Sequence, residues 1–142
     1  MKKLIFGGFF FMFFISASAT MAQGIDFEHS SWNDIVKKAK AEKKLIFMDA
    51  YTTWCGPCKA LQTRVFPDKA VGDYFNTNFV NAKIDMESGE GPALAAKYRV
   101  QAYPTLFFID PNTGKVVHQA MGFRQAPELI SIAKQAVSKK VM

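Results

Sequence analysis

From residue 45 to 51 the chain reads Leu-Ile-Phe-Met-Asp-Ala-Tyr, an apolar run interrupted only by Asp49. A strand with one wet face would alternate, so this near-continuous run predicts a β-strand buried on both sides. Phe79 to Ile84 predicts a second buried strand, and Ile25 to Phe27 a brief edge strand. Elsewhere the period lengthens. Trp32, Ile35, Val36 and Ala39 share one helical face behind Ser30 or Ser31, either of which suits an N-cap. Leu61 and Val65 keep helical spacing until Pro67, which biases Phe66 away from helix. Asp68 then caps another helix through Val71, Tyr74 and Phe75.

Met86 to Pro92 is a loop by composition, with Glu87 and Glu90 read as solvated charges, and Ala93 to Tyr98 form a short helix. Thr105 to Asp110 and Lys115 to Ala120 flank Pro111-Asn112-Thr113-Gly114 and predict a hairpin. Pro127 opens a last helix through Leu129, Ile130, Ile132, Ala133 and Val137. Strand, helix, strand, helix, hairpin and helix in that order predict an α/β domain: a mixed central β-sheet flanked by helices on both faces.

The first 22 residues follow a different pattern. Lys2 and Lys3 precede an apolar run from Leu4 to Ile15 and then small residues, which is the layout of a secretory signal peptide. The run is shorter than the roughly 17–25 residues needed to span a bilayer, so an uncleaved anchor is the weaker reading. Cleavage after Ala19 or Ala22 is expected, leaving a domain over 23–142, no stable membrane insertion, and a periplasmic or otherwise extracytoplasmic location. The whole chain carries +6; without Lys2 and Lys3, 16 basic residues face 12 acidic, a net +4. Lys37, Lys38, Lys40, Lys43 and Lys44 concentrate that excess around one helix. With no aromatic residues among them they read as a solvated face, not a nucleic-acid surface.

Chemistry is concentrated in Trp54-Cys55-Gly56-Pro57-Cys58-Lys59, which holds the only two cysteines. Cysteines three apart in the first turn of a helix can nearly meet the Cβ separation of about 3.5–4.5 Å that a disulfide requires. Pro57 suits that first turn because its missing N–H would go unpaired there anyway. Cys55 at the helix N-terminus is then the attacking thiolate, and Cys58, on the face of Leu61 and Val65, the more buried, resolving sulfur. Lowering a thiol pKa from about 8.5 to about 7 raises the thiolate fraction about fifteenfold and costs about fivefold in nucleophilicity. The net gain is only about threefold, so positioning must supply most of the advantage. Structural disulfides normally close longer loops, and structural zinc wants four ligands, which two cysteines with isolated His29 and His118 do not offer.

These residues resemble the thioredoxin family, whose active-site sequence is WCGPCK after a buried strand. The resemblance runs from about Ile25 to Lys139. It includes Asp49 six residues before Cys55, AKID at Ala82 to Asp85, YPT at Tyr103 to Thr105, and the closing hairpin with Gly114 and Gly122. The break at Val65-Phe66-Pro67-Asp68 and the FFIDPNTGK hairpin are similar to exported members, including the C-terminal domain of the bacterial envelope thiol:disulfide interchange protein. The resemblance implies a thioredoxin fold, no cofactor and no metal. It implies a cis Pro104 lying against the cysteines, and substrate contacts from Trp54, Gly56, Pro57, Tyr103 and Pro104; an ordinary strand-start proline is the alternative for Pro104. Asp49, a carboxyl in an apolar strand, would exchange a proton with Cys58, with Lys83 as its charged neighbour; the alternative is an Asp49 that only holds a loop amide.

The expected function is an exported oxidoreductase that reduces protein disulfides and is reset by an upstream thiol donor. Oxidation or isomerisation uses the same sulfurs at a different redox poise, and a non-catalytic binding module is the reading from another class.

Overall fold

The computed structural model describes residues 23–140; the signal-peptide reading lies outside the described residues. Strands β1 (Phe27–Glu28), β2 (Leu45–Tyr51), β3 (Phe79–Asp85), β4 (Thr105–Ile109) and β5 (Val116–Met121) form one sheet in the order β1-β3-β2-β4-β5. The first three strands are parallel; β4 runs antiparallel to β2, and β5 to β4. The sheet is mixed, as the order of elements predicts.

Side-chain alternation divides β2 between two cores. Leu45 and Phe47 face helices α3 (Lys69–Asn78) and α5 (Ala126–Ser138) together with Leu61, Val65 and Phe66. Ile46, Met48 and Ala50 face α1 (Trp32–Glu42) and α4 (Gly91–Lys97). Phe47 anchors the first core, its ring centroid 4.7 Å from that of Phe75 and 5.4 Å from that of Phe108. Helix starts follow local chemistry: Ser31 Oγ accepts from Asp34 N at 3.2 Å, and Asp68 Oδ1 accepts from Ala70 N and Val71 N at 2.8 and 3.1 Å.

Three expectations need correction. The edge strand begins at Phe27, not Ile25, because the preceding backbone is bonded elsewhere. Ile25 N donates to Phe66 O at 2.8 Å, and Asp26 N to Asn76 Oδ1 at 2.8 Å. Helix α4 starts at Gly91, since Pro92 is accommodated in its first turn. The helix after the cysteines is not uniform. Helix α2 (Gly56–Ala60) passes into a π-helical turn (Leu61–Val65) in which Phe66 N reaches back to Leu61 O at 2.9 Å. Pro67 has no N–H for the Thr63 carbonyl, and the widened turn buries Val65 and Phe66 together. Glu87 and Glu90 are exposed loop charges, as expected, and each also accepts a hydrogen bond: Glu90 Oε2 from Trp32 N at 2.8 Å and Glu87 Oε1 from Trp54 Nε1 at 2.9 Å.

Candidate active site

The cysteine motif begins directly beyond the C-terminal end of β2, where sites gather in sheets of this kind. Cys55 is the N-cap of α2 with extended backbone, and its sulfur accepts a hydrogen bond from Cys58 N at 3.2 Å, as an N-cap oxygen would. Its own amide donates to Thr52 O at 3.4 Å. Pro57 occupies the first turn. Cys55 and Cys58 form a disulfide with their Cα atoms 5.3 Å apart. Cys58 is sealed beside buried Leu61, and Cys55 keeps 3% of its surface, so any attack on the pair must come at Cys55. Gly56 and Pro57 are exposed, and a Cβ built on Gly56 meets nothing, so the approach over that turn is open.

Strand β4 is antiparallel to β2, which brings its first residue, Thr105, opposite Ala50 at the same end as the motif. The Tyr103–Pro104 peptide bond before it is cis, and Pro104 O accepts from Gly122 N at 2.8 Å. The Tyr103 and Trp54 rings stand perpendicular to one another, with centroids 5.9 Å apart. Trp54 is 65% exposed.

Asp49 shares the β2 face of Leu45 and Phe47, the face on which Leu61 and Val65 of the π turn pack, and is fully buried. Neither carboxyl oxygen has a hydrogen-bond partner among the described residues, so it holds no loop amide. Burial pushes its pKa up to about 7, with Lys83 pulling in the opposite direction. Lys83 is the register partner of Asp49 on β3; its Nζ lies 5.8 Å from the ring centroid of Phe27 and 5.6 Å from that of Tyr51.

The fold thus gathers Cys55, Cys58, Trp54, Gly56, Pro57, Tyr103 and Pro104 at one end of the sheet, with Asp49 and Lys83 on the strands beneath. His29 is exposed, and His118 packs on Phe108 near Lys139. Among the described residues no group of three or more His, Cys, Asp or Glu could hold a metal ion. Three features escape a linear reading: Glu87 on Trp54, buried Thr52 beneath the motif, and the exposed Met121 and Phe123 beyond the Pro104 contact. The place of Glu87, two residues past the end of β3, matters only because β3 lies beside β2.

Comparison with known proteins agrees with this geometry. A Thioredoxin family model matches residues 24–135. Thioredoxin H5 of Arabidopsis thaliana is 33% identical over 111 residues, covering 78% of this chain and 80% of its own. A solution structure of a protein named as a candidate disulphide-isomerase from Bacteroides thetaiotaomicron is 50% identical. It covers 84% of this chain and 98% of that one, with a TM-score of 0.72. The DsbD C-terminal domain of Neisseria meningitidis, at 21% identity and TM-score 0.62 over 73% of this chain and 90% of that one, shares the fold. With a family model spanning most of its length and the Cys55–Cys58 pair set at the strand end, the chain belongs to the thioredoxin family and is a thiol-disulfide oxidoreductase.

Proposed function

We propose that this protein is an exported reductase of protein disulfides. The observation that carries the mechanism is the buried, unpartnered carboxyl of Asp49, on the β2 face where Leu61 packs three residues beyond Cys58, with its pKa near neutrality. In the reduced enzyme the Cys55 thiolate attacks a substrate disulfide, forming a mixed disulfide and expelling one substrate thiolate, which takes a proton from water. Asp49 carboxylate then accepts the Cys58 proton, and the Cys58 thiolate attacks the Cys55 sulfur. The second substrate thiolate leaves, two electrons have passed to the substrate, and Cys55–Cys58 is oxidised. Trp54, Gly56, Pro57, Tyr103 and Pro104 contact the substrate, and Lys83 moderates the charge on Asp49. An upstream thiol protein restores the dithiol.

The reductive direction is supported by Gly56-Pro57, the dipeptide that resembles reducing members of the family, which lie at about −270 mV. Isomerisation is a second reading, favoured by the name of the Bacteroides thetaiotaomicron relative. Equilibration of the pair with glutathione decides between them. A potential near about −270 mV supports the reductase, and one between about −180 and −120 mV makes it an isomerase or oxidase. Export is supported by the basic, apolar and small-residue layout of the first 22 residues. N-terminal sequencing of the secreted protein is expected to begin at Thr20 or Gln23; a product beginning at Met1 makes the segment an anchor. No helix among the described residues is long and apolar enough to cross a membrane.

A further inference from the structure

The loop between β3 and α4 holds an acidic side chain against the most exposed aromatic ring of the site. Trp54 Nε1 donates to Glu87 Oε1 at 2.9 Å, and the plane of the same indole stands at 90° to that of Tyr103. An indole that is 65% exposed is otherwise free to swing between rotamers, and each of these contacts constrains a different part of it. Glu87 is itself held. Its amide donates to Asp85 Oδ1 at 3.0 Å, and Met86 N donates to Tyr51 O at 2.8 Å, at the end of β2. The loop then closes tightly, since a Cβ on Gly91 would fall 1.8 Å from Asp85 O, and Glu90 ties it to Trp32 N. A carboxylate whose own backbone is tied down thus reaches the polar edge of the ring that directly precedes Cys55 in the chain.

We propose that Glu87 is a positioning residue for substrate recognition: it locks Trp54 against Tyr103, so that the two rings form one preformed apolar platform for a protein substrate. This rests on the reading of Trp54 and Tyr103 as substrate contacts. Glu87 does not touch the reacting sulfurs, so its contribution appears in substrate binding and not in the chemical step. An ordered platform avoids the entropy of fixing the indole at each encounter.

The test is steady-state reduction of insulin, with dithiothreitol as the electron donor, by the parent protein and by Glu87→Leu, Glu87→Gln, Trp54→Ala and the double variant Trp54→Ala/Glu87→Leu. Glu87→Leu is expected to raise KM at least fivefold with kcat within twofold of the parent. Glu87→Gln, which keeps an acceptor oxygen, restores most of the loss. The double variant is no worse than Trp54→Ala, because Glu87 acts through that ring. If Trp54→Ala raises KM and Glu87→Leu does not, or if the two losses add, the proposal is overturned and the platform stands. If Trp54→Ala leaves KM unchanged, the platform reading itself is overturned. Thermal midpoints of all variants separate a general loss of folding from the KM effect, and a Glu87→Gln that unfolds with Glu87→Leu would make the residue structural and end the proposal.

Discussion

Asp49 and Lys83 stand at the same register position on neighbouring parallel strands, yet no hydrogen bond joins them, and the carboxyl remains unpartnered in the core. The opposite charge therefore softens the cost of burial without cancelling it, and the Asp49 pKa settles at about 7 instead of 3.8.

That shift makes stability depend on pH. The folded-state pKa lies above the unfolded one, so between about pH 4 and 7 the folded protein retains a proton that the unfolded chain has lost. Stability is fully present below pH 4, falls as pH rises to about 7, and is level above it. A shift of about three units corresponds to about 4 kcal/mol. Urea unfolding of the oxidised protein at pH 5 and pH 8, a window that spans about two of those three units, is expected to show a fall of about 3 kcal/mol, and Asp49→Asn to abolish it. Equal pH dependence in parent and variant would remove Asp49 as its source.

The same carboxyl separates two chemical steps. Asp49→Asn keeps the side-chain shape and removes the proton acceptor, so resolution of the mixed disulfide slows by roughly 100-fold while the first attack is spared. Acid quenching followed by mass spectrometry is expected to find the Cys55 adduct accumulating. Cys58→Ser traps that adduct outright, and Cys55→Ser forms none. An adduct on Cys58 would reverse the roles.

Gly72 tests how the amino-terminal segment is held. Alanine in a helix interior normally stabilises by about 1 kcal/mol over glycine. Here a Cβ on Gly72 would lie 2.3 Å from Gly24 O and 2.6 Å from Gly24 Cα, and backbone atoms cannot swing aside. Residue 24 is also fixed by Asn76 Nδ2, which donates to its carbonyl at 3.0 Å, and by its own positive φ of 84°. Crowding outweighs propensity, so Gly72→Ala is expected to destabilise by about 1–3 kcal/mol in urea titration. A stabilised variant would refute the close approach.

Phe75 tests the larger core. Its ring is fully buried between Phe47 and Phe79, with centroids 4.7 and 5.2 Å away. Phe75→Ala is expected to cost about 3–5 kcal/mol, read from the same titration. A loss below about 1 kcal/mol would mean that the core collapses around the gap.

By itself the sequence determined what depends on near neighbours along the chain. The apolar run of β2, a cap at Ser30 or Ser31, the Asp68 cap, the hairpin turn and the spacing of Cys55 and Cys58 each specify local geometry within a few residues. Two cysteines in one helical turn need no distant partner to define their chemistry. The tertiary structure decided what depends on the neighbouring strand. Edge-strand register follows from Asn76, whose Oδ1 bonds Asp26 N across fifty residues of sequence. The roles of Glu87 and Glu90 depend on β3 lying beside β2, and a glutamate in a glycine-rich loop looks the same whether its carboxylate meets water or an indole. The π turn after α2 follows from the need to bury Val65 and Phe66 together ahead of Pro67. Burial and pairing are properties of the space around a side chain, and in this chain that space is assembled from segments far apart in sequence.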